Sequence, residues 1–162
     1  SMPDAIQVND EKRIVHIRLR PLWAYVDGIR EFARFFCSTT FDEGVADRAQ
    51  LVIHEMLENA VKYSSRESDE VELAIRSDGG SIDFTVANQP TPDSLELLRS
   101  EFASLSERDA ETAYVEAMSR ATQLPSGVSR LGLARIRFEG RFELSLTEEK
   151  DGRIRVTASG KI

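Results

Sequence analysis

The side chains best able to do chemistry in this chain fall in one short run, His54-Glu55-Met56-Leu57-Glu58-Asn59-Ala60-Val61-Lys62-Tyr63. If the run is helical, Glu55 and Asn59 share one face four residues apart, and Lys62 follows three further on. Met56, Leu57, Ala60 and Val61 then point elsewhere, toward a core. A carboxylate can orient a nucleophile or a water. A carboxamide oxygen is a hard, neutral ligand suited to magnesium, and an ammonium can meet a phosphate oxygen. The same spacing also describes a solvated polar face with a Glu–Lys pair, so spacing alone does not decide between them. The zinc pattern H-E-x-x-H would need histidine at position 58, where Glu58 stands. His16 and His54 are the only histidines, and a zinc site is not expected.

The flanking sequence predicts the frame that holds this run. In 12–20 the apolar Val15, Ile17 and Leu19 alternate with Ile14, His16, Arg18 and Arg20, the pattern of a half-buried strand. Pro21 is expected to open a helix to about residue 38, with Trp23, Val26, Ile29, Phe32, Ala33 and Phe36 as its core stripe. After a turn at 39–43, a second helix over 45–63 carries the chemical run. Segments 70–76 and 81–87 flank Ser77-Asp78-Gly79-Gly80, a hairpin turn signal. Residues 88–92 hold two prolines and form a loop. Helices follow at 93–104 and 109–122, with Leu95, Leu98, Phe102, Tyr114 and Met118 as anchors. After a loop at 124–127, a short helix at 128–138 ends near Gly140, the expected C-cap. Strands at 141–147 and 153–159 close a last hairpin around Lys150-Asp151-Gly152. The order β-α-α-β-β-(α-α)-α-β-β predicts an α+β fold over 2–162, a two-layer sandwich with a mixed or antiparallel sheet and helices on one face. Neither GxGxxG nor GxxxxGK[ST] is present, which excludes two common phosphate-binding solutions.

The stretch E-x-x-x-N-A-x-K-Y, running from Glu55 to Tyr63, resembles the N-box of the GHKL ATPases, the Bergerat-fold group of gyrase B, histidine kinases and anti-sigma-factor kinases. Leu131-Gly132-Leu133-Ala134 resembles the later glycine box of that family, G-x-G-L-G-L-A, and the element order matches as well. The resemblance implies Glu55 as general base, Asn59 as magnesium ligand and cofactor contact, and a phosphate role for Lys62. It implies Mg-ATP as cofactor, with Asn88, Gly127, Arg130 and Gly132 completing the nucleotide site.

Two boxes depart from the family pattern. Where D-x-G-x-G should follow the strand 81–87, the chain has Asn88-Gln89-Pro90-Thr91-Pro92. Asn88 keeps an acceptor oxygen without the charge of the adenine-reading Asp, and proline removes an N–H and fixes φ. Val128 and Arg130 occupy the first two glycine positions of the later box, where glycine lets backbone amides approach phosphate. Arg130 could donate to phosphate instead. Among the family, the short form most resembles bacterial anti-sigma-type serine kinases and related partner-switching regulators. That resemblance implies transfer of phosphate from Mg-ATP to a Ser or Thr of a small STAS-like partner. The alternative is a nucleotide-independent protein-binding module on the same fold.

Composition narrows the partners. The 162 residues carry a net charge of −7 and a pI near 5.0, which disfavours nucleic acid. The densest basic group, Arg130, Arg135, Arg137 and Arg141, is expected to be a solvated helix face. No apolar run reaches membrane-spanning length. Cys37 is the sole cysteine, expected to be a buried structural thiol. These features predict a cytoplasmic protein, with a homodimer left open.

Overall fold

The computed structural model describes residues 5–9, 14–66, 69–122 and 131–162. Two strands, β1 (Ala5–Asn9) and β2 (Ile14–Leu19), lead into helices α1 (Trp23–Thr40) and α2 (Glu43–Tyr63). A hairpin, β3 (Val71–Asp78) and β4 (Ser81–Asn88), is followed by α3 (Pro92–Ser106), α4 (Ala110–Ala121) and α5 (Leu131–Phe138). A second hairpin, β5 (Glu143–Glu148) and β6 (Ile154–Lys161), ends the chain. The strands form one sheet in the order β1-β2-β3-β4-β6-β5, with every neighbouring pair antiparallel.

The period-2 alternation does what it should. Val15, Ile17 and Leu19, then Val71, Leu73 and Ile75, then Ile82, Phe84 and Val86 all face the core and are buried. Register carries that face across the sheet, with Ile17 opposite Leu73, Leu73 opposite Val86, and Phe84 opposite Ala158. Gly79 and Gly80 both take positive φ, 54° and 101°, which a two-residue type I′ hairpin demands. Against this face lies α2, with Val45, Ala49, Val52, Ile53, Met56 and Leu57 buried. Its N-terminus is capped by Asp42, whose carboxylate accepts from the Val45 N–H at 2.8 Å, worth about 1 kcal/mol. α1 packs beside α2 and buries Val26, Ala33 and Cys37. Burial pushes the Cys37 thiol up to about 12, in keeping with an unreactive core position.

Several expectations need correction. β1 is an additional strand; of the two sheet types expected, mixed or antiparallel, the sheet is the wholly antiparallel one. α1 begins at Trp23 behind Leu22, not at Pro21, and Trp23 is 57% exposed, outside the core stripe. On α4 the small Ala113 and Ala117 are the buried residues, on a helix that packs against α5, while Met118 stays exposed. The left-handed residue after α5 is Arg141, φ 57°, and not Gly140. Among the described residues no helix is long and apolar enough to cross a membrane.

Candidate functional site

α5 is short, and its first turn crosses α2 at Glu55. A Cβ on Gly132 would stand 2.5 Å from Glu55 Oε2, so any larger residue there has to displace the Glu55 carboxylate. One turn on, Arg135 Nη1 donates to Glu55 Oε1 at 3.0 Å. Glu55 is only 6% exposed. Burial pushes its carboxyl above the ordinary range; Arg135 and the neighbouring His54 oppose that rise without cancelling it, and Glu58 adds to it.

Beside this pair a cleft of about 410 Å³ opens between α1, α2 and α5. Glu55, Asn59 and Lys62 all border it, as their spacing predicts, together with Trp23, Glu58, Gly132 and Arg135. Lys62 is exposed, with Nζ 5.4 Å from the centroid of the Tyr63 ring. His54 Nε2 lies 3.3 Å from Glu58 Oε1, and its Nδ1 is 3.5 Å from Arg30 Nη1. The ligating atoms of His54, Glu55 and Glu58 fall within 4.8 Å of one another. Arg30 and Arg135 supply the positive charge that balances them.

Asn59 also borders a second, interior space, and here the site differs sharply from an open nucleotide pocket. That space measures about 10 Å³, room for roughly one water. Leu98 from α3, Leu133 from α5 and Tyr63 fill the surroundings. Asn88 is buried at the end of β4, and its Nδ2 donates to Ser64 Oγ at 3.3 Å. Ser64 Oγ in turn donates to the Ala60 carbonyl. The loop after β4 is stitched to the end of α2 by Ser65 N–H to Gln89 O at 3.0 Å and by a bridge between Ser64 and Pro90. A drug-sized ligand occupies a pocket of about 300–1,000 Å³. The cleft is large enough for a polyphosphate, but the space beside Asn88 does not fit a nucleobase. Among the described residues, the space beside Asn88 as it stands is too small for a nucleobase.

Gly127 and Arg130 lie outside the described residues, as does Val128. Gly132 serves the approach of two helices around Glu55. Of the expected solvated arginine face, Arg141 is exposed and Arg130 lies outside the described residues, while Arg135 and Arg137 are tied internally. Arg135 holds Glu55, and Arg137 donates to the carbonyls of Leu105 and Arg108 at 2.7 and 3.2 Å, joining α5 to the turn between α3 and α4. Two residues of the cleft were not singled out from sequence. Arg135 could have been found from its i, i+3 relation to Gly132, which puts both on one helix face. Trp23 carried no signal distinguishing it from the core stripe.

No family model matches the sequence, and no curated protein matches it. Among solved structures, the chain is similar to a chain of the SiaB–SiaC complex from Pseudomonas aeruginosa, with a TM-score of 0.65 and 20% identity. The match covers 94% of this chain and 93% of that one. At that identity the likeness is one of fold, and it agrees with the α+β sandwich described above.

Proposed function

We propose that this chain is a regulatory protein of partner-switching type that acts by docking a small protein, with the cleft between α1, α2 and α5 at the docking face. One observation carries the reading: the space where a base would sit is closed to about 10 Å³, while the adjoining cleft is open and walled by an exposed tryptophan. Large, rigid aromatic side chains are the commonest anchors of protein interfaces. A neighbour of the same fold found in a two-protein complex supports a protein partner. The STAS-like nature of that partner rests on the resemblance of the N-box alone. Sedimentation of the chain mixed with candidate STAS-like proteins, with and without Mg-ATP, tests the reading. A complex that forms equally in both conditions supports it, and one that needs nucleotide rejects it.

A second reading is favoured by the cleft itself, which gathers a carboxylate, a carboxamide and an exposed ammonium. It is Mg-ATP-dependent transfer of phosphate to a Ser or Thr of the partner. It requires α3 to withdraw Leu98 and Glu55 to part from Arg135. Incubation of the complex with labelled ATP distinguishes the two, since only this reading leaves label on the partner.

A further inference from the structure

Among the described residues two cations, Lys62 and Arg135, border the cleft, and they are differently committed. Lys62 stands at the mouth and has no carboxylate partner among the described residues. Arg135 lies deeper, with Nη1 on Glu55 at 3.0 Å. Its Nε is buried and 3.7 Å from Glu139 Oε2, too far for a hydrogen bond. Glu139 is itself engaged, accepting from the Tyr114 hydroxyl at 2.5 Å. The guanidinium is thus held on one side by an internal carboxylate and only partly satisfied on the other. It also faces the open cleft.

The geometry points to Arg135 as a latch on the cleft: its guanidinium is paired with the internal carboxylate of Glu55, and an anionic group of a ligand opens the pair by competing for the same guanidinium. The inference rests on the cleft being a ligand-facing site. Guanidinium binds carboxylate and phosphate with the same planar fork, so the two anions are true rivals. Among the described residues, the titratable and charged groups facing Glu55 are Arg135 from α5 and His54 and Glu58 on α2, with Arg30 of α1 against His54. Neutralising Glu55 therefore has two separable effects. It lowers negative charge in the cleft, which any neutralisation there would do. It also frees Arg135, which neutralising Glu58 would not do.

Calorimetric titration with inorganic tripolyphosphate tests this on the wild type, Glu55→Gln, Glu58→Gln, Arg135→Met and the double variant Glu55→Gln/Arg135→Met. Glu55→Gln keeps shape and should bind about tenfold more tightly than wild type, the scale of one charge-assisted hydrogen bond. Glu58→Gln should gain much less. In the double variant the gain from Glu55→Gln should vanish. If Arg135→Met alone fails to fold because it strands a buried carboxylate, the double variant is neutral on both sides and carries the comparison. Unchanged affinity in Glu55→Gln overturns the latch, as does a gain that persists without Arg135, since that would be general charge repulsion. Absence of tripolyphosphate binding in all five proteins overturns both the latch and the cleft as an anion site. Protein docking, read separately through Trp23→Ala, would then still stand.

Discussion

Gly132 and Glu55 are set so close that a single methyl group on the glycine would fall 2.5 Å from the carboxylate. The contact joins the two motifs that were separately legible in the sequence, and it lets α5 cover α2 with the Glu55 carboxylate in its present place. Gly132→Ala must push the helices apart or turn Glu55 out of its pair with Arg135. Overpacking of this kind costs about 1–3 kcal/mol. Urea unfolding of the variant should show a lower midpoint with an unchanged slope. A wild-type midpoint would mean that Glu55 rearranges freely.

Arg135→Met should destabilise the fold in a pH-dependent way. Glu55 is buried and its carboxyl already lies above the ordinary range because of that burial. A carboxyl raised in the folded state binds its proton more tightly there than in the unfolded chain. Its contribution is therefore full at low pH and falls as pH rises from the ordinary carboxylate range through the raised value. Removing Arg135 raises the carboxyl further and widens that window. The stability deficit of Arg135→Met should be larger at pH 8 than at pH 5, on the order of 1–3 kcal/mol at the higher pH after allowance for partial solvent screening. Paired denaturation curves at the two pH values measure it. A deficit independent of pH would show that the pair carries no charge coupling.

Glu55, Asn59 and Lys62 were legible because a helix repeats locally, and i, i+4 spacing fixes a shared face wherever the helix ends up. The closed space at Asn88 was partly legible, since Pro90 and Pro92 excluded a glycine-type loop, but the entry of Leu98 from α3 was not. Arg135 meets Glu55 across 80 positions of chain, a contact that depends on how α5 docks and leaves no periodic trace. Trp23 fits the spacing of the α1 stripe, yet it lies one turn beyond the last buried residue, Val26, where no core remains to cover it. β1 is only five residues long, and its Ile6 and Val8 give too short an alternation to stand out.

Leu98→Ala should cost about 2–5 kcal/mol, the range for a leucine removed from a core. Leu98 is 2% exposed and closes the space beside Asn88. Thermal unfolding measures the loss. A change below about 1 kcal/mol would show that α3 is not firmly seated.

Trp23→Ala should leave stability within about 0.5 kcal/mol, as for an exposed position. Docking of a confirmed partner should nevertheless weaken by about tenfold or more, as when an aromatic anchor is lost. Surface-immobilised partner and a dilution series of the variant give the ratio. Equal affinity would move the docking face away from the cleft.

Titration of the purified chain with Mg-ATP in a calorimeter tests most directly whether a nucleotide is needed. With the base space at about 10 Å³ and Arg135 engaged by Glu55, the wild type should bind with Kd of about 1 mM or weaker. A saturable isotherm with Kd of about 10 μM or tighter would contradict the account, because binding of that strength requires α3 and Arg135 to release the site readily.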